Sequence, residues 1–247
     1  MSREQVSIRT KDGDCRAWVF RPEGPGPWPA AIIYMDGVAI RPALFDFGER
    51  LASHGYFTLL PDLFYRDGVY EPMDPSKLFA DEAARTAIFA KMGKCVSVDA
   101  VKTDTGAFLD FLDTQPDVKG KKVGVTGYCM GGRVALIAAA EFPDRIVAAG
   151  AFHPGHLITA NPDSPHLLIP KIKAKVYVGG ADQDQGFTPE NKVDLAKAFT
   201  DAGVDNQVEI YDGAKHGYTM PDLSVYNEPA AERHWREVLA LFDGQLK

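Results

Sequence analysis

Long hydrophobic runs are missing from this chain of 247 residues. No apolar stretch approaches the roughly 20 residues that a membrane-spanning helix needs, and the opening MSREQVSIRTKDGD is polar where a secretory signal would be hydrophobic. Both features predict a cytoplasmic protein with no membrane partner. Cysteine is scarce: Cys15, Cys95 and Cys129 are an odd set that cannot all pair and lack the CxxC spacing of a zinc or redox motif. That excludes a disulfide-stapled scaffold, leaves at least one free thiol and gives no reason to expect a metal. A basic cluster is absent as well. The formal net charge is −7 and the 27 lysines and arginines are dispersed, so no positive stripe exists to neutralise a phosphate backbone and no nucleic-acid partner is expected.

Apolar residues are plentiful, at 45% of the chain with 11% aromatic, enough for one large core. Chains of this length commonly fold as a single α/β domain, here residues 1–247. Val6–Thr10 and Cys15–Phe20 flank the turn-forming Lys11-Asp12-Gly13-Asp14 and read as an opening β-hairpin. Strands and helices then alternate. Strands are expected at Ala30–Met35, Tyr56–Leu60, Lys122–Thr126, Ile146–Phe152, Ala174–Val178 and Gln207–Tyr211. Helices are expected near Pro42–His54, Cys129–Glu141, Pro189–Ala202 and Asn227–Phe242. This alternation predicts a mostly parallel central sheet flanked by helices. Asp67–Cys95 breaks the rhythm and reads as a long surface loop or a lid.

Reactive groups of such a sheet gather at the carboxyl ends of its strands. After Lys122–Thr126 comes Gly127-Tyr128-Cys129-Met130-Gly131-Gly132, opening an Ala-rich helix. That is the strand–turn–helix setting of a nucleophile elbow, in which glycines on either side let the backbone reverse tightly around the reactive residue. The positive end of the helix dipole also favours a thiolate at Cys129. A nucleophile of this kind needs a base. His216, in Gly213-Ala214-Lys215-His216-Gly217-Tyr218, falls where a triad histidine should, last in chain order. His153 is as well suited to a structural hydrogen bond as to the pocket. The acid belongs after the preceding strand, where Gly179-Gly180-Ala181-Asp182-Gln183-Asp184 offers two candidates, Asp182 and Asp184. The oxyanion hole is expected from the backbone N–H groups of Met130 and Gly37.

Gly-Tyr-Cys-Met-Gly-Gly, the downstream aspartate and Lys-His-Gly-Tyr, in that order and spacing, together with Pro61–Arg66 and Phe187–Glu190, resemble the dienelactone hydrolase (carboxymethylenebutenolidase) family. The resemblance covers most of the chain from Pro29 onward. It implies an α/β-hydrolase fold, a Cys129–His216–Asp184 triad with no metal or organic cofactor, and hydrolysis of a small ester or lactone through an acyl-thioester, by a monomer or homodimer. It favours Asp184 over Asp182. Family members also place a glutamate near the resting thiol; the matching residue is Asp36, one methylene shorter and equally readable as a turn residue ahead of Gly37. An arginine that holds the substrate carboxylate in dienelactone-cleaving members is replaced here by Met220, and Arg66 or Arg85 are the substitutes to consider. Tyr34, Tyr65, Phe152 and Tyr218 lie beside the motifs, where they line either the pocket or the core. The competing expectation is a thiol redox sensor or non-catalytic binding protein that keeps the fold.

Overall fold

The computed structural model describes residues 1–70 and 82–247, the side chains of residues 84 and 85 excepted. The chain opens with β1 (Ser2–Thr10) and β2 (Gly13–Arg21), the expected hairpin. It reaches further than alternation predicts, because polar residues pair backbone to backbone at its exposed end, Ser2 with Arg21 and Gln5 with Trp18. Next come β3 (Trp28–Tyr34), α1 (Pro42–Ser53), β4 (Phe57–Pro61) and a single 3-10 turn at Tyr65–Asp67. The irregular stretch Asp67–Cys95 ends in a helix, α2 (Glu82–Cys95), followed by α3 (Val98–Asp113). Residues 71–81 of that stretch lie outside the described residues, and with them the choice between loop and lid.

The second half is regular: β5 (Val118–Tyr128), α4 (Met130–Glu141), β6 (Ile146–Phe152), β7 (Lys175–Gln183), α5 (Pro189–Asp201), β8 (Asn206–Lys215) and α6 (Glu228–Leu246). A 3-10 segment, Pro165–Lys171, precedes β7. It escaped the sequence reading because two prolines interrupt any helical period.

The eight strands of the described residues form one sheet in the order β1-β2-β4-β3-β5-β6-β7-β8. The two pairings at the β1 edge are antiparallel, and those from β4 to β8 are parallel. The chain steps from β3 outward to β4 and then returns to the other side of β3 as β5, so the strand order reverses between β3 and β5. Crevices outside the carboxyl ends of strands at such a reversal are where open α/β sheets bind ligands.

Central strands β3 and β6 are almost continuously buried, as a sheet covered on both faces demands. On one face, Phe47 of α1 sits 5.0 Å, ring to ring, from both Tyr128 of β5 and Trp235 of α6. Burying aromatics of this size contributes roughly 1.5–3 kcal/mol each, which ties the two helices to the strand that leads into Cys129. Among the described residues no helix is long and apolar enough to cross a membrane.

Candidate active site

β5 passes to α4 through one residue. Cys129 caps the helix with φ 53° and ψ −116°, a left-handed backbone for a residue with a side chain. Such a conformation costs on the order of 1–3 kcal/mol and persists only where its surroundings over-determine it. The surroundings do. A Cβ on Gly127 would lie 1.9 Å from the Gly131 carbonyl oxygen, and one on Gly131 would lie 2.2 Å from that of Tyr34. Cys129 N–H donates to Phe152 O and Gly132 N–H donates to Cys129 O, both at 3.1 Å. The predicted elbow is therefore locked between β3, β6 and its own helix. Met130 opens α4, so its N–H has no partner within the helix.

His216 follows the last residue of β8 and precedes Gly217, whose φ of 93° turns the chain. Its Nδ1–H donates to Asp184 Oδ2 at 2.6 Å, while Asp184 Oδ1 accepts Gly186 N–H at 2.8 Å. The Asp184 side chain is 6% exposed; Asp182, by contrast, is exposed and accepts Gly213 N–H at 3.2 Å. The two aspartates that the residues alone left open are thus separated by geometry. The end of the Asp184 loop is fixed by a reciprocal capping box, with Thr188 Oγ1 accepting from Asn191 N–H and Asn191 Oδ1 accepting from Thr188 N–H. Burial disfavours a charge on His216. Attraction to Cys129, the Asp184 hydrogen bond and a hydrogen bond with Cys129 outweigh it and raise the imidazole well above its ordinary range.

Cys129, Met130, Asp184 and His216 border a cavity of about 560 Å³. Phe89, Met92 and Val96 form its apolar wall, and the loop after β6 contributes Gly155, His156, Thr159, Asn161 and Asp163. Arg133 faces the same space. Its Nε, Nη1 and Nη2 donate to the carbonyl oxygens of Val96, His156 and Asp163 at 3.4, 3.1 and 2.9 Å. No carboxylate pairs with it among the described residues, and burial lowers its pKa, partly offset by the Asp163 charge. Sequence reasoning missed Arg133. The signal was available: it is the one charged residue between Met130 and Ala140 of an otherwise buried helix, four positions after Cys129 and hence on the same face.

Other expected residues lie elsewhere. Asp36 is buried and does not border the cavity. Its carboxylate accepts two hydrogen bonds from Arg41, at 2.7 and 2.9 Å, and one from Val38 N–H at 3.0 Å. A cation thus occupies the oxygens that a thiol-activating role requires, and the turn reading of Asp36 fits. A Cβ on Gly37 would lie 3.1 Å from Met92 Sδ, which places that residue against the apolar wall. His153 is fully buried behind the site, its ring 5.2 Å from that of His216 and its Nε2 2.7 Å from Thr219 Oγ1. Burial and the neighbouring His216 hold it well below the ordinary histidine range, so it stays neutral.

Tyr34, Tyr65, Phe152 and Tyr218 are buried in the core, and none borders the cavity. Met220 is also fully buried. Arg66 pairs with Asp104 and Asp12, which settles it as a structural cation, and the Arg85 side chain lies outside the described residues. Among the described residues no group of three His, Cys, Asp or Glu side chains is arranged to hold a metal.

Comparison with known proteins bears on the family and the fold. The family model described as "Dienelactone hydrolase family" matches residues 15–246. "Protein usf" of Aquifex pyrophilus is 28% identical over 98% of this chain and 99% of its own. A Synechocystis protein named "Putative carboxymethylenebutenolidase" is 25% identical over 98% of this chain and 96% of its own. A crystal structure titled as a "Putative Dienelactone Hydrolase" from Klebsiella pneumoniae superposes with a TM-score of 0.84 at 21% identity, over 98% of each chain. Fold, strand-end motifs and family model agree: this chain belongs to the dienelactone hydrolase family and has its α/β-hydrolase fold.

Proposed function

We propose that the protein hydrolyses a small ester or lactone through a Cys129–His216–Asp184 triad. The observation that carries this reading is the placement of Cys129, in a left-handed backbone at the head of α4, on one cavity with a histidine held by a buried carboxylate at 2.6 Å. His216 takes the thiol proton. The sulfur attacks the acyl carbon, and the oxyanion is received by the N–H groups of Met130 and Gly37. As the tetrahedral intermediate collapses, the leaving alkoxide takes the proton from His216 and an acyl-thioester remains. Neutral His216 then removes a proton from water, which attacks the thioester, and collapse returns the thiolate. Asp184 fixes the tautomer and stabilises the imidazolium without itself being protonated.

Thiolates attack esters and lactones readily but amides poorly, which favours the former as substrates. Arg133 narrows the class further. Its three carbonyl contacts use three of five guanidinium N–H groups, leaving one on each terminal nitrogen for a substituent of the substrate. An ester or lactone bearing an anionic group suits a partly buried cation with no carboxylate partner among the described residues.

The deciding experiment measures p-nitrophenyl acetate turnover by wild type, Cys129→Ala and His216→Ala, with mass spectrometry of the acylated protein. Turnover by wild type, a transient acyl group on Cys129 and near-complete loss in both variants are expected. Full activity in Cys129→Ala, or oxidation of the thiol without acylation by the ester, overturns the reading.

A further inference from the structure

Arg41 is a buried cation between two segments of the site. It is the N-cap of α1, 5% exposed, and its side chain reaches two carboxylates far apart in sequence. Nη1 and Nη2 donate to Asp36 Oδ1 and Oδ2 at 2.7 and 2.9 Å. Nε and Nη2 donate to Asp222 Oδ2 and Oδ1 at 2.5 and 3.2 Å. Nη1 also donates to the carbonyl oxygen of Ala39 at 3.1 Å. A guanidinium has five N–H groups, and here all five are engaged.

What Arg41 grips matters for the chemistry. Asp36–Ala39 is the turn that leaves β3, and it contains Gly37. Asp36 also accepts Val38 N–H through its side chain, and Ala39 N–H donates to Asp36 O at 3.3 Å. Ala39 has φ 73°, a left-handed backbone for a residue with a side chain. Such strain relaxes unless it is clamped, and the clamp is the Arg41 contact with the Ala39 carbonyl. At the other end, Asp222 lies on the loop after His216, beyond Gly217–Met220, which closes by a Met220 N–H to Gly217 O hydrogen bond at 3.0 Å. One side chain therefore ties the turn behind the oxyanion hole to the loop behind the base.

We infer that Arg41 is a positioning residue for the oxyanion hole: it clamps the Asp36–Ala39 turn so that the Gly37 N–H faces the carbonyl oxygen under attack, in register with the loop that follows His216. The inference rests on the ester-hydrolase reading above. Arg41 touches neither substrate nor thiol. A displacement of the turn by about 1 Å costs on the order of 100-fold in acyl transfer, comparable to loss of one oxyanion donor. Lysine does not replace it, because an ammonium offers three donors from one point and serves two planar carboxylates poorly.

The test separates two reactions of the same thiol. Acylation by p-nitrophenyl acetate passes through an oxyanion, whereas alkylation by iodoacetamide displaces iodide and forms none. In Arg41→Lys the acylation rate is expected to fall about 100-fold while the alkylation rate at Cys129 stays within about threefold of wild type. In Asp36→Asn, which keeps the side-chain acceptor for Val38 N–H but weakens the grip of Arg41, acylation falls about 10-fold with alkylation again preserved. Asp36→Asn decides the matter if Arg41→Lys does not fold. Parallel loss of both reactions in a folded variant assigns Arg41 to the scaffold or to His216 and overturns the inference, as does unchanged acylation. Failure of the hydrolase reading registers separately, as ester turnover that survives Cys129→Ala in the wild-type background.

Discussion

Replacing Asp184 by asparagine removes one charge and almost no volume, which isolates what the carboxylate contributes. Asp184 holds two donors, His216 Nδ1–H at 2.6 Å and Gly186 N–H at 2.8 Å. In Asp184→Asn the new amide keeps its oxygen for Gly186 and turns its nitrogen toward His216. Nδ1 must then accept, which puts the single imidazole proton on Nε2, the nitrogen left to serve Cys129. A ring in that tautomer takes no proton from the thiol. The analogous change in a serine protease lowers kcat about 10⁴-fold. A thiol is the better acid and needs less help, so the expected loss in kcat/KM here is about 10²–10³-fold, or about 3–4 kcal/mol of transition-state stabilisation. The assay is steady-state hydrolysis of p-nitrophenyl acetate beside iodoacetamide alkylation from pH 5 to 9. Loss of the carboxylate lets His216 fall back toward the ordinary histidine range, and alkylation slows most below neutrality. Asp182→Asn, on an exposed side chain, is the control and stays within about twofold of wild type. The reasoning fails if Asp184→Asn keeps a third of wild-type activity, or if Asp182→Asn costs more.

Gly131→Ala drives a Cβ to 2.2 Å from the Tyr34 carbonyl oxygen; backbone must shift, and thermal melting should report a loss above about 3 kcal/mol together with loss of Cys129 acylation. Arg133→Met is expected to raise KM about 10-fold or more for esters carrying a carboxylate and to leave neutral acetate esters nearly unchanged; equal effects on both exclude an anion subsite. His234 is buried, its Nε2 2.9 Å from the Tyr128 hydroxyl, and burial lowers its pKa to about 3. The unfolded chain takes up that proton below about pH 6.5 while the native state does not, so stability declines by roughly 1.4 kcal/mol per pH unit below that point. His234→Gln should flatten the fall in melting temperature between pH 6.5 and 4.5, and an unchanged slope rules His234 out as its source. The raised His216 acts in the opposite sense: its contribution is complete below the unfolded value and disappears as pH rises through the folded one.

The architecture was legible wherever period and punctuation agreed. β6 begins and ends at the predicted residues because an unbroken apolar run admits one register. Cys129 and His216 stood out as candidates because each follows a strand and sits close to glycine, and that local chemistry survives any error in strand length; Asp182 and Asp184 both follow the same strand, and only the family resemblance favoured Asp184. β8 runs longer than predicted because its polar ends pair with β7, Asn206 with Val176 and Lys215 with Gln183; β5 is extended at both ends, where Val118 pairs with Trp28 and Tyr128 with Phe152. Asp36 shows the limit of motif matching. The motif match names the position, but the direction of its carboxylate is set by Arg41, five residues on, and that pairing leaves no trace in periodicity. Arg133 shows the same limit from the other side: a lone cation on an Ala-rich helix stands out only once the cavity beside it is known.

The central pairing of the sheet has a consequence for how the protein comes to life. β3 pairs with β5, Tyr34 beside Gly127, across some ninety residues of intervening chain, and the elbow is pinned by the Tyr34 carbonyl that this pairing presents. Contacts so distant in sequence form slowly, because loop closure must be met before they reward the chain. A refolding molecule therefore gains its helices early and its reactive thiol late. If Cys129 is the reactive thiol, the return of ester turnover after dilution from denaturant is expected to lag the far-ultraviolet circular dichroism signal of the helices.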